Sequence, residues 1–284
     1  MRDLSQLNLC VVGANGRMGR LFSGLWQGKV GRVYELDLRP GSLMLAEDDI
    51  AAGVPQADVV IMSVPIDKLE AALQSVAPHL APKCLLGDVS SVKTLPMQLM
   101  EKYHQGPVVG AHPLFGPESA SETGAGVSDP VTGTENRFLQ QEFKGSELQV
   151  ALVPGRGEPE ALALMAELFR LAGCASFATS AEEHDRAIAT IQSLNFLSNL
   201  AYFATAADLP DLEKYITPSF RRRLFASRTM LQEDAELFIN IARHTPQLRE
   251  ALQAYTRTLE EAVNLNGKAL GDLLGLARRY FADN

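Results

Sequence analysis

The stretch LNLCVVGANGRMG, residues 7–19, decides the fold. An apolar run that reads as a strand stops at Gly13, and the helical period of RMGRLFSGLWQG begins four residues later. Glycines at 13, 16 and 19 permit a tight turn and let the backbone approach a pyrophosphate at the helix N-terminus. Gly13, Asn15, Gly16, Arg17, Met18 and Gly19 are therefore the candidate phosphate-binding residues. The spacing is one residue looser than the usual G-x-G-x-x-G, and a glycine pattern alone is a weak signal. Its context strengthens it. The next strand, RVYELDL, ends in Asp37, eighteen positions after Gly19. An acid there accepts hydrogen bonds from an adenosine ribose and repels a 2′-phosphate, which favours NAD over NADP. Arg39, just beyond, softens that preference.

Outward from this βαβ unit the alternation continues. ADVVIMSVP, CLLGDVSS, PVVGAHPLF, LQVALVP and CASFATS read as strands, separated by the helical IDKLEAALQSVAPHL, LPMQLMEKYH and EPEALALMAELFRLAG. Strands apolar throughout and separated by helices imply a parallel sheet covered on both faces. After Ser180 only helical periodicity remains, and Ser180 with Glu183 fits a capping box opening the first helix. The expected architecture is α/β: a Rossmann-type doubly wound domain over residues 1–180, then an all-α C-terminal domain over 181–284. Residues 188–207 are apolar nearly all round, which predicts burial on most sides. A helix that greasy in so small a domain points to a homodimer formed through the helical domain. Residues 122–147 are polar and rich in Gly, Thr and Ser, a lid or a disordered segment with ENRFLQQEF as a possible short helix.

Composition narrows the function classes. A net charge of −8 over 284 residues argues against a non-specific nucleic-acid binder. No apolar run approaches the roughly 18 residues of a membrane span, and the N-terminus shows no signal-peptide core. Cys10, Cys84 and Cys174 are widely spaced in apolar stretches, as expected of reduced, buried residues in a cytoplasmic protein. No CxxC or HxxxH spacing suggests a metal site.

The strand ends carry the chemistry. In an open α/β sheet they line the ligand crevice. Ser63, Val64 and Pro65 end one strand, DVSSVK (88–93) the next, and GAHPLFG (110–116) the one after. His112 is thereby carried to the place where a nicotinamide would lie. Neutral imidazole, with an ordinary pKa of about 6.5, is suited to take a proton from a hydroxyl. Ser91, from the neighbouring strand end, is placed to hold its ring. The other histidines, at 79, 104 and 244, read as surface residues, and His184 as a cap or interdomain contact.

GANGRMG, Asp37, SVP, DVSSVK, GAHPLFGPES and EEHDRAIATIQSL, in this order, resemble the prephenate dehydrogenase family over nearly the whole chain. The SVK and GAHPxFGP pair is far more specific than the glycine loop. The GPxS form after the histidine resembles the dehydrogenase part of bifunctional chorismate mutase–prephenate dehydrogenases; with no mutase helix before it, the chain is expected to be monofunctional. The resemblance implies NAD-dependent oxidative decarboxylation of prephenate to 4-hydroxyphenylpyruvate in tyrosine biosynthesis. It implies that His112 accepts the ring C4 hydroxyl proton as hydride leaves, and that Ser91 orients His112 and touches the same hydroxyl.

Two departures bear on the substrate. Family members carry a histidine at or near the positions held here by Ser193 and Phe196. They also carry a carboxylate-binding arginine where this chain has Thr229, five residues before Asp234. Arg228 or Arg221 is expected to serve instead, because either can clamp a carboxylate bidentately, with Asn195 nearby in the altered helix. Arogenate and 4-amino-4-deoxyprephenate are the alternative substrates, and a catalytically inactive NAD-binding regulator is the alternative of another class. Hydroxyacid dehydrogenases and imine reductases with a catalytic lysine or aspartate in the interdomain helix are disfavoured, since residues 187–207 contain neither.

Overall fold

The computed structural model describes residues 3–39, 42, 44–116, 148–207, 209–263 and 267–283. The segment 122–147 lies outside them. Two compact units divide the chain, Met1–His184 and Asp185–Asn284.

The first unit is built on one seven-stranded sheet in the order β2-β1-β3-β4-β5-β6-β7. Its strands are β1 (Asn8–Val12), β2 (Arg32–Leu36), β3 (Val59–Met62), β4 (Leu85–Asp88), β5 (Val108–Pro113), β6 (Leu148–Pro154) and β7 (Cys174–Ala178). The first five run parallel, β6 runs antiparallel to β5, and β7 follows β6 in parallel. The central strands are apolar on both faces because both are covered. On one face α1 (Arg17–Trp26) and α5 (Glu160–Leu171) pack an aromatic layer. Phe22 stacks on Trp26 at 5.1 Å and meets Phe169 edge-on at 5.2 Å. The buried Trp26 indole N–H donates to the Leu168 carbonyl at 2.8 Å. On the other face α2 (Glu47–Gly53), α3 (Leu69–Val76) and α4 (Thr94–Tyr103) supply Ile50, Leu69, Leu73, Met97 and Met100.

The strand order sets the crevice. β1 has β2 on one side and β3 on the other, so the connections leave in opposite directions from its carboxyl end. That reversal opens a crevice at the ends of β1 and β3.

Helix α6 (Ala181–Ile188) starts at the expected capping box: Ser180 Oγ accepts from the Glu183 N–H at 3.1 Å, and Glu183 reaches back to the Ser180 N–H at 3.3 Å. The second unit is built of helices joined by turns, with no strand among its described residues. A π-helical turn over Ala189–Leu194 leads into α7 (Asn195–Ala207), and α8 (Pro218–Arg228) into a second such turn over Thr229–Glu233. Then come α9 (Ala235–Arg243), α10 (Leu248–Val263) and α11 (Gly267–Asp283). Phe196 stacks on Phe238 with ring centroids 5.7 Å apart. The burial expected on most sides of residues 188–207 is not seen. Ile191 is 64% exposed, and Leu200 and Tyr202 also face outward, left uncovered by the described residues of the helical unit.

One histidine corrects the sequence reading. His104, expected at the surface, is buried, with a ring nitrogen 2.8 Å from the Cys84 carbonyl. The turn from α4 into β5 tucks the ring under the start of β4, and burial pushes its pKa down. All three cysteines are buried and unpaired. Burial pushes the Cys10 and Cys84 thiols up to about 12 and Cys174 to about 11, so all three stay protonated and inert at neutral pH. No described helix is long and apolar enough to cross a membrane.

Candidate active site

The glycine loop is built for close backbone approach. Gly13 adopts φ 89°, and a Cβ there would stand 2.3 Å from the Ser63 carbonyl oxygen. A Cβ at Gly19 would stand 2.2 Å from the Gly13 carbonyl oxygen. Only glycine therefore lets α1 start flush against β1 while β1 meets β3. The Ser63 N–H donates to the Val12 carbonyl at 2.7 Å, placing Ser63, Val64 and Pro65 beside the loop. Gly16 caps α1 without a side-chain hydrogen bond, leaving the positive end of the helix dipole for an anion. Arg17 and Asn15 are exposed there, with Met18 half-buried behind them.

Asp37 follows β2 and is anchored to this loop. One carboxylate oxygen accepts from the Asn15 N–H at 2.6 Å, the other from the Leu38 N–H at 2.7 Å. The strand-end acid and the glycine turn thus form one rigid constellation. A bare backbone cradle, a helix start and a fixed carboxylate at the second strand end fit a dinucleotide.

His112 lies in β5, paired with Ala151 of β6, and is buried. Its Nδ1 stands 2.8 Å from Nε2 of His184, with the two rings nearly perpendicular at 73° and 5.0 Å between centroids. One ring must donate and the other accept, so the contact fixes complementary tautomers. His184 is also buried, and comes from α6, whose capping box sets its position. Sequence reasoning gave His184 a structural role. The two histidines are 72 residues apart, so no local pattern announces their meeting. The available signals were the capping box, which puts His184 at the start of α6, and the EEHD stretch that shares in the family resemblance.

Ser91 is half-buried on the turn that follows β4. That turn is pinned by a buried ion pair the sequence did not reveal. Lys93 Nζ lies 2.6 Å from both carboxylate oxygens of Asp88, and neither side chain is exposed. Asp88 also accepts from the Ser90 N–H at 2.9 Å. The Lys93 stem passes under β5, where a Cβ at Gly110 would stand 3.1 Å from its Cδ. The same ion pair therefore anchors the turn carrying Ser91 and packs two residues from His112. Ser90 Oγ is buried there without a protein hydrogen-bond partner among the described residues.

In the helical unit, Asn195 opens α7 and accepts from Asn199 Nδ2 at 3.0 Å. Asn199 in turn accepts from Ser227 Oγ at 3.0 Å, one residue before Arg228. This chain of contacts brings Asn195 toward the end of α8. Arg221 and Arg228 are both exposed and lie seven residues apart on α8, about two turns along one face. Arg228 Nε donates to Gln232 at 3.2 Å, Arg222 contacts Ser219, and Arg223 stacks on the Tyr202 ring at 3.8 Å. The departing positions are absorbed in packing: Ser193 is buried against Thr245, and Phe196 against Phe238. Both π-helical turns lie beside these residues, a feature often found at functional sites.

The sheet, the glycine turn and the helix start define a nucleotide-binding domain of the Rossmann type. Residues 38–177 match the model of the prephenate dehydrogenase nucleotide-binding domain; the glycine loop precedes that span and stands on its geometry. The T-protein of Haemophilus influenzae is 27% identical over 97% of this chain and 67% of its own length. The T-protein of Enterobacter agglomerans is 29% identical over 90% of this chain and 61% of its own. A probable arogenate/prephenate dehydrogenase of Methanocaldococcus jannaschii is 22% identical over 90% of this chain and 56% of its own. The chain thus spans roughly three-fifths of these relatives. Among solved structures, Aquifex aeolicus prephenate dehydrogenase, in complex with hydroxyphenyl propionate and NAD+, shares the fold with TM-score 0.72 at 19% identity, each chain fully covered. Synechocystis arogenate dehydrogenase does so with TM-score 0.71 at 19% identity, covering 98% of each. The chain is thus similar to the prephenate dehydrogenase family, through its nucleotide-binding region and through these relatives.

Proposed function

We propose that the chain catalyses NAD-dependent oxidative decarboxylation of prephenate to 4-hydroxyphenylpyruvate, with His112 accepting the proton of the ring C4 hydroxyl. The observation that carries this reading is the buried His112–His184 contact at the end of β5. An imidazole whose Nδ1 is committed to a second imidazole has a fixed plane and tautomer, and proton exchange with substrate falls to Nε2. Ser91, on the pinned turn, is the hydroxyl proposed to orient substrate and ring.

NAD+, when bound, supplies the acceptor for the hydride leaving C4. Gly13, Asn15, Gly16, Arg17, Met18 and Gly19 would hold its pyrophosphate, Asp37 its adenosine ribose, and Ser63, Val64 and Pro65 would line its path. Support for that cofactor comes from the cradle, from Asp37, and from the similar Aquifex aeolicus fold, which binds NAD+. Loss of hydride and of the ring carboxylate restores aromaticity, so the reaction runs downhill and the protein mainly aligns reactants. The two substrate carboxylates need cations. Arg221 and Arg228 are proposed for them, with Asn195 beside the side chain.

The substrate is the open term, since relatives of this fold include an arogenate dehydrogenase and a probable arogenate/prephenate dehydrogenase. The test offers prephenate, arogenate and 4-amino-4-deoxyprephenate in turn with NAD+, following reduced nicotinamide. Prephenate is expected to give the highest kcat/KM. Preference for an amino substrate would reassign the substrate, and silence with all three would favour a regulatory NAD-binding role.

A homodimer through the helical unit completes the proposal. Leu209, Tyr215, Tyr255 and Leu259 are exposed around a groove of about 620 Å³ bounded by α7, α8 and α10. Contiguous apolar surface of this kind marks an interaction face.

A further inference from the structure

Asp37 and Arg39 send opposite messages about the cofactor. An acid at the end of β2 favours a ribose hydroxyl, whereas a nearby arginine accommodates a 2′-phosphate. The geometry shows where that arginine is. Arg39 Nε donates to Asp49 at 2.8 Å, Nη2 donates to the other oxygen of Asp49 at 2.8 Å, and Nη2 also meets Asp48 at 2.7 Å. The fork is thus closed on one carboxylate and shared with a second, both from the first turn of α2. The acids point the cation toward α2 while Asp37 stays bound to the glycine loop.

We propose that Asp48 and Asp49 are cofactor-specificity residues: by holding the Arg39 guanidinium they withhold a cation two residues from Asp37 that would accept a 2′-phosphate, and so make the site selective for NAD+ over NADP+. This inference rests on the proposal that the site binds NAD+. The charge balance supports it. Asp37, Asp48 and Asp49 set three negative charges against the single charge of Arg39, and a 2′-phosphate would bring about −1.5 to −2 more. A ribose hydroxyl brings none. The pairs are solvent-exposed, with side-chain exposures of 51% for Arg39, 74% for Asp48 and 41% for Asp49, so each bond alone is weak. Exposed residues at a helix start also tolerate exchange without unfolding the domain. The device is a bias set by two acids acting together, and it is removable.

The test is calorimetric titration of NAD+ and of NADP+ into the wild type, the double variant Asp48→Asn/Asp49→Asn, and the triple variant that adds Arg39→Ala. The double variant should bind NADP+ about tenfold more tightly than the wild type, a change of roughly 1.4 kcal/mol. The triple variant should lose that gain, since the released cation is gone. NAD+ binding with no gain for NADP+ in the double variant overturns the inference alone, and so does a gain that survives in the triple variant. Absence of NAD+ binding to the wild type overturns the cofactor reading and the inference with it.

Discussion

The chemistry at the residue scale comes down to two imidazoles. His112 was legible as a candidate because a histidine at the end of an apolar strand, beside two structure-breaking prolines and a glycine, is an unusual placement. His184 was not legible as its partner, because the meeting depends on where α6 starts after the sheet is complete. If His184 positions His112, His184→Ala should lower kcat about tenfold, since losing one hydrogen bond to a buried ring withdraws about 1–1.5 kcal/mol. His184→Gln, whose amide can keep the contact, should recover most of the rate. The pH–rate profile decides between positioning and packing: its acid limb should move in the alanine variant and return in the glutamine variant. Identical profiles in all three proteins would leave His184 a packing residue.

Elements differ in how openly the sequence declares them. All seven strands were readable: the central ones are buried on both faces and apolar throughout, and the edge strands β2 and β7 are short runs bounded by turn residues. The reversal of β6 was not, since direction depends on the route of the connection before it and not on the strand's own residues. Helix α2 also escaped: its seven residues are too few for a periodic signal, although its three leading acids suit a helix start. The turn after β4 shows what such elements need. Asp88 and Lys93 stand five residues apart with no exposure, and neither charge is tolerable alone. Lys93→Met should therefore lower the unfolding free energy by about 3–5 kcal/mol in denaturant titration, by stranding the Asp88 carboxylate. The double variant Asp88→Leu/Lys93→Met should recover much of that loss. A double variant no more stable than Lys93→Met would mean that the pair is not the source of the effect.

For the whole molecule, an α/β unit with a buried sheet core contrasts with a helical unit that leaves apolar surface exposed among its described residues. Leu252, Tyr255 and Leu259 recur on one face of α10, and each is more than a third exposed. A second copy is the proposed cover, so sedimentation at equilibrium should give a dimer, and Leu259→Asp should shift it toward monomer. A wild-type monomer at micromolar concentration would set that proposal aside. The same expectation comes from the apolar pattern of residues 188–207, in which Ile191, Leu200 and Tyr202 are exposed. The central claim is that a dinucleotide-binding unit carries a histidine base at the end of β5. Its most direct test compares the wild type with His112→Asn, measuring NAD+ affinity and reduction of NAD+ by prephenate in parallel. The account predicts equal NAD+ affinity with turnover lower by about 10²-fold or more in the variant. Turnover within a few-fold of the wild type would contradict it.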